Sequence, residues 1–162
     1  MNTRNIVIAG IMVLVLSAQG ATFTWDGGGS DNNWITAANW SDDVVPASDG
    51  SAILAFSGTS RTTSTNTFPA DTVFAGINLA NNNSSGKTAG FNLYGNRIVL
   101  GGNMTATALT ANGTLTDTLR MPIVLNGTRT ITTSQSGSGD TLRAHHITIY
   151  RARDRPAQHL KF

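Results

Sequence analysis

Carboxylates are the first side chains here that could do chemistry, and they are few: nine acidic residues, all of them aspartate. Glycoside hydrolysis needs two carboxyl groups flanking the scissile bond. Asp42 and Asp43 are the one adjacent pair, and neighbours in sequence face opposite sides of a strand or stand solvated in a loop. A Ser-His-Asp arrangement needs a histidine inside the folded body, yet His145, His146 and His159 all lie beyond residue 144. The composition therefore points away from an enzyme. It supplies no catalytic residue and no cofactor-binding motif.

Two further groups carry possible chemistry. Asp26, Asp31, Asn32 and Asn33 surround Gly27, Gly28 and Gly29, and oxygen donors among glycines are what a calcium loop uses. Gly29 stands two places before Asp31, but Ser30 interrupts the glycine-rich calcium repeat and no second copy follows. Turns in which Asp and Asn bond their own backbone are the expected structure, with no metal site. Trp25, Trp34 and Trp40 could stack sugar rings as an aromatic platform. Alternatively, they could seal the first layer of a stacked fold, which otherwise leaves apolar core and unpaired backbone groups open to edge-to-edge association.

The elements that must position these residues read as strands. Phe23 and Trp25 alternate in a first strand, followed by turn material rich in Gly, Asp and Asn. Ser51–Ser57 is the next strand candidate, and 58–67 reads as an exposed Ser/Thr loop. Short apolar bursts follow at Val73–Leu79, Phe91–Tyr94, Ile98–Leu100, Met104–Asn112, Thr114–Leu119, Ile123–Leu125 and Thr128–Thr133. No window keeps a 3.6-residue apolar period long enough for a helix.

A weak repeat runs through the bursts. Ile98-Val99-Leu100-Gly101-Gly102-Asn103 is echoed by Ile123-Val124-Leu125-Asn126-Gly127-Thr128, and Ile77-Asn78-Leu79-Ala80-Asn81 precedes the first copy. Spacings of 20 to 50 residues mark solenoids, whose units bury their faces only against neighbours. The expectation is an all-β fold, a parallel β-solenoid of four or five coils; a β-sandwich with hairpins at similar spacing is the alternative. Asparagines closing successive strands are expected to stack as amide ladders.

Charge and flanks divide the chain. Arg4 precedes an apolar run from Ile6 to Leu16, and Ala18 and Gly20 supply small residues before Ala21. That order is a secretory signal, with cleavage between Gly20 and Ala21, and the run is too short to span a bilayer, which takes about 20 residues. Residues 21–140 carry five cations against eight aspartates, whereas 141–162 carry five cations against Asp154 alone. The basic pI thus belongs to the tail, and nothing in the body suggests nucleic-acid binding. Residues 1–20 are read as the leader, 21–140 as the β module with a tryptophan-rich cap over 21–58, and 141–162 as an atypical basic tail. That tail is either disordered or the product of a slipped reading frame, which would make the chain a fragment of a longer protein. The absence of cysteine leaves a hydrogen-bonded ladder, not disulfides, to hold an exported fold together.

The segment Thr24-Trp25-Asp26-Gly27-Gly28-Gly29-Ser30-Asp31-Asn32-Asn33-Trp34, with Asn39-Trp40, Pro46 and Phe56-Ser57-Gly58 after it, resembles the start of autotransporter-associated β-strand repeat proteins. These are large exported bacterial proteins. The resemblance covers about residues 21 to 140 and implies a right-handed parallel β-helix on the cell surface or secreted, with structural or adhesive roles. It carries over no catalytic residue, and the chain lacks that family's translocator barrel and sorting helix. Glycans or other surface and matrix components are the expected partners. The membrane enters only in transit, through the general secretory pathway.

Overall fold

The computed structural model describes residues 20–81, 90–108 and 117–135, together with a strand at 146–149. Residues 1–19, which the sequence reading takes as a leader, and most of the basic tail lie outside the described residues. Eleven strands are described: β1 (Thr22–Trp25), β2 (Ile53–Phe56), β3 (Thr63–Asn66), β4 (Thr72–Phe74), β5 (Gly76–Asn81), β6 (Asn92–Gly95), β7 (Ile98–Leu100), β8 (Met104–Ala108), β9 (Thr118–Leu125), β10 (Ile131–Gln135) and β11 (His146–Ile149). Two short 3-10 turns, Ala37–Asn39 and Ser41–Asp43, complete the elements, and no α-helix occurs among the described residues.

Every pairing between these strands is parallel. One sheet runs β1-β2-β5-β8-β10, and the other runs β3-β6-β9-β7-β4 with β11 added beside β9. The result is a parallel β-solenoid of about four turns. A β-sandwich is excluded, because its hairpins would pair antiparallel. Partners stand one turn apart in sequence, from Ile53↔Gly76 at the shortest to Asn33↔Thr65 at the longest. Beyond the compositional boundary at residue 140, β11 still joins the ladder, with His146 opposite Thr118.

Stacking in register turns alternation along each strand into columns through the core. Phe23, Leu54, Ile77, Met104 and Ile131 occupy one column, and Trp25, Phe56, Leu79 and Ala106 the next. Thr72, Ile98 and Ile123 form a third column and Phe74, Leu100 and Leu125 a fourth, on another face. The inward members from Leu54 to Ala106 are buried, and burying a Leu, Ile or Phe side chain contributes about 1.5–3 kcal/mol. The second column shrinks from Trp through Phe and Leu to Ala, so the core is widest in aromatic area at its amino-terminal end.

Several sequence expectations are corrected by the corners. Val73–Leu79 reads as one alternating strand, but Ala75 turns the chain, so β4 and β5 lie in different sheets. The reverse happens further on: Thr114–Leu119 and Ile123–Leu125 were expected as two strands, and Thr118–Leu125 is one. Thr118 and Leu119 pair with β6, and Ile123 to Leu125 with β7. Pro122 sits between these pairings, where its missing N–H removes no ladder bond. The last burst begins at Ile131, not Thr128. In the repeat, Ile98 does pair with Ile123, but Ile77 pairs with Met104 on another face.

The expected exposed loop at 58–67 contains β3, with Ser64 and Asn66 buried. Their polarity concealed a strand whose inward groups are all bonded: Ser64 Oγ accepts from an indole, and the Asn66 amide donates to Asn96 O at 2.7 Å and accepts from Phe68 N at 3.0 Å. Among the described residues the asparagines do bridge coils, but not amide to amide. Asn78 Oδ1 accepts from the Thr105 hydroxyl, and Asn103 Oδ1 accepts from Thr130 N.

Coils pack so closely at corners that several positions demand glycine, Gly95 among them. Gly95 has φ +108°, and a Cβ there would stand 2.3 Å from Asn66 O. Replacing Gly95 by Ala is expected to destabilise the fold by about 1–3 kcal/mol, read as a lowered urea midpoint with unchanged m-value.

Candidate functional site

The residues singled out by type and spacing converge on the amino-terminal end. β1 has β2 on one side only. On its other side Trp25 forms an antiparallel bridge with Trp40, and Asp26 N and Gly27 N both donate to Asn39 O at 3.0 and 3.1 Å. The segment 37–43 thus covers backbone groups on the side of β1 away from β2.

All three indoles are fully buried, at 0 % exposure. Trp25 and Trp40 meet edge to face at 5.3 Å between centroids, and Trp34 and Trp40 do so at 6.4 Å. Phe56 of the second coil touches all three, at 6.1, 5.3 and 5.8 Å from Trp25, Trp34 and Trp40. Such pairs add about 0.5–1.5 kcal/mol beyond area burial. Each indole N–H is bonded inside the fold: Trp25 to Arg61 O at 3.2 Å, Trp34 to Ser64 Oγ at 2.9 Å and Trp40 to Trp34 O at 2.7 Å. With neither ring face nor N–H presented outward, the tryptophans cap the core.

A polar network locks the cap above the rings. Asp31 Oδ1 accepts from Asn33 N and Asn39 Nδ2, both at 3.0 Å, and Oδ2 accepts from Asn33 Nδ2 at 2.9 Å and Thr36 Oγ1 at 2.8 Å. Asn39 is wholly buried, and its amide is satisfied on both sides: Nδ2 also donates to Asn33 O, and Oδ1 accepts from Gly29 N. The three glycines have steric reasons. Gly27 has φ +66° and lies against Ser60 and Arg61, while a Cβ at Gly28 or Gly29 would meet Ala38 O or Asn39 Oδ1 within 3 Å.

The oxygens weighed for calcium are engaged differently. Asp26 Oδ1 accepts from Gly28 N at 2.9 Å, Asp31 forms the four bonds above, and Asn32 Oδ1 accepts from the Arg61 guanidinium at 3.3 Å. These are Asx-type turns with a cation beside them. Asp42 and Asp43 are exposed at φ +70° and +52°, the solvated-loop arrangement. At Gly20 and Ala21 the ladder has already begun: Ala21 O accepts from Ile53 N at 2.8 Å.

Sequence reasoning missed two features. Asp117 is buried and accepts from Phe91 N at 2.7 Å; nothing in its neighbourhood in sequence marks it. Tyr94 is 36 % exposed, with the Arg120 guanidinium 5.7 Å from its ring centroid. That pair is recognisable only once the register of β6 against β9 sets Asn92 opposite Thr118.

Trp34→Ala is expected to lower stability by about 3–5 kcal/mol, as large-to-small core changes do. Trp34→Phe, which leaves buried Ser64 without its donor, should cost about 1–3 kcal/mol; chemical denaturation of both variants checks the order. Asp31 is held below its ordinary value of 3.8, first by the Asn33 N–H and then by the Thr36 hydroxyl, against a smaller opposing effect of burial. A depressed carboxyl contributes stability above its unfolded value and loses it as pH falls through the folded one. The unfolding midpoint should therefore hold down to about pH 5 and then decline, and the decline should be shallower in Asp31→Asn.

Comparison of the chain with protein-family models, curated proteins and solved structures returns no match.

Proposed function

We propose that this chain is an exported, non-enzymatic structural or adhesive module of a cell-surface or secreted β-repeat protein. The observation that supports this reading best is the division of the polar residues. The oxygens of Asp26, Asp31 and Asn32 around the glycine loop are engaged within the cap or by Arg61, and the outward ladder positions carry short, mostly uncharged side chains. On the first sheet these are Thr24, Ala55, Asn78, Thr105 and Thr132 in one row, and Ala80, Thr107 and Ser134 in the next.

Such faces suit many weak contacts in parallel, not one deep pocket. Tyr94 and Arg120 are of the residue types that dominate interface energetics, and they stand together on the second sheet. The leader, the lack of cysteine and the resemblance to autotransporter-associated repeat proteins support delivery outside the cytoplasm. Glycans and matrix components are the partner classes that match a neutral, hydroxyl- and amide-bearing surface.

Beads bearing many copies of the protein should be retained on immobilised glycans or matrix polymers about 10²–10⁴-fold better than single copies. Tyr94→Ala with Arg120→Ala should reduce that retention without changing the circular dichroism spectrum. Absence of retention in either format would reject the adhesive reading. A reporter fused to residues 1–20 should leave the cytoplasm, and retention inside would reject export.

A further inference from the structure

Three turns in the described residues place glycine directly after an aspartate or asparagine: Asp26-Gly27, Asp49-Gly50 and Asn126-Gly127. All three glycines have positive φ, at +66°, +90° and +84°. In two of the turns the acidic side chain is committed. Asp26 Oδ1 accepts from Gly28 N at 2.9 Å, and Asp49 Oδ1 accepts from Ser51 N at 2.9 Å and from the Ser51 hydroxyl at 2.6 Å.

The third turn is built differently. Asn126 and Gly127 are both exposed. The Asn126 backbone N–H is anchored to Leu100 O at 3.1 Å, while its side-chain amide makes no hydrogen bond. A Cβ at Gly127 would meet no atom within 4 Å, so the turn stands clear of the rest of the fold. One bond restrains the Gly127 nitrogen, its donation to Leu125 O at 3.1 Å. A single neutral hydrogen bond in an exposed turn is worth only about 1 kcal/mol net. Glycine also brings no side chain to hinder approach of that nitrogen to its neighbour.

We infer that Asn126 is a modification site, at which the folded protein converts spontaneously to aspartate and isoaspartate. The Gly127 amide nitrogen gives up its proton to solvent and forms a bond to Asn126 Cγ, and the side-chain nitrogen leaves as ammonia. The resulting five-membered imide takes up one water. Opening at the bond to Cγ yields aspartate in the normal chain; opening at the bond to the main-chain carbonyl carbon yields isoaspartate. One water is consumed and one ammonia released, with no oxidant or catalyst.

The location gives the change its consequence. The turn joins β9 to β10, whose registers are set by Leu125 opposite Leu100 and Ile131 opposite Met104. Isoaspartate lengthens the main chain by one methylene within that corner. Either product also places a carboxylate three residues before Arg129. The change therefore falls on the last described coil of the first sheet.

The test uses the intact chain, folded and urea-unfolded, held in mildly alkaline buffer and then digested with trypsin. The peptide Met121–Arg129 contains Asn126 and no other asparagine, so its conversion is read alone. In folded protein this peptide is expected to gain the mass difference between an amide and an acid, to split into aspartyl and isoaspartyl peaks, and to accept methyl groups from an isoaspartyl methyltransferase. The folded rate should lie within a few-fold of the unfolded rate, and Asn126→Gln should abolish conversion. A peptide left unchanged in folded protein, after the unfolded chain has converted, overturns the proposal. So does full conversion that leaves hydrogen-exchange protection of β10 equal to that of Asn126→Gln, because the assigned consequence would then be absent.

Discussion

A coil in a parallel stack can hydrogen-bond only to the coil before it and the coil after it, so the first coil must find other partners for a whole edge. It must also cover the top of a core that would otherwise open onto water. Both needs are met here by one segment. The run from Asp26 to Asp43 folds back over β1, supplies Asn39 O to the two backbone N–H groups that follow it, and lowers the Trp34 and Trp40 indoles onto Phe56, which the Trp25 ring of β1 also meets. The ladder downstream starts from this sealed layer.

The cap explains why its residues resemble a functional site. Aspartates, asparagines and glycines around tryptophans are the ingredients of metal loops and sugar platforms, but they are also what a compact irregular lid requires. A lid cannot use ladder bonds, so buried Asn39 must be satisfied by side chains and turn backbone, which calls for short hydrogen-bonding groups at close range. Glycines are needed where that backbone approaches its neighbours within contact distance. Asp26, Asp31 and Asn39 are therefore engaged inside the lid, and the outward rows of the first sheet carry threonine, serine, alanine and asparagine. That sheet face is regular and uncharged. The bidentate ion pair of Arg97 with Asp71 is exposed and contributes at most about 1 kcal/mol.

Much of the architecture was legible because a solenoid repeats local signals. Most of the strand-length bursts mark strands, and the 25-residue echo between Ile98 and Ile123 marks a real turn of the coil. The gathering of three tryptophans within sixteen residues was legible too, but it fitted a cap and a ring-stacking platform alike. The corners were not legible. Alternation continues through Ala75 although the chain changes sheet there, and Pro122 looks like a terminator although it lies within β9. Ser64 and Asn66 read as surface because their burial depends on Trp34 and Asn96, thirty residues away in each case.

By itself the sequence determined that the chain is β-structured, that it repeats once per coil, and that indoles gather near its amino end. Those properties follow from periodicity and composition, which act over a few residues. Only the tertiary structure decided whether the tryptophans face sugar or core, which oxygens hold backbone and which remain free, and which of three similar glycine turns leaves its side chain unengaged. Each of those depends on a partner one coil away. The separation between partners varies from 23 residues for Ile53↔Gly76 to 32 for Asn33↔Thr65, so no local reading of the chain could have set the register that brings them together.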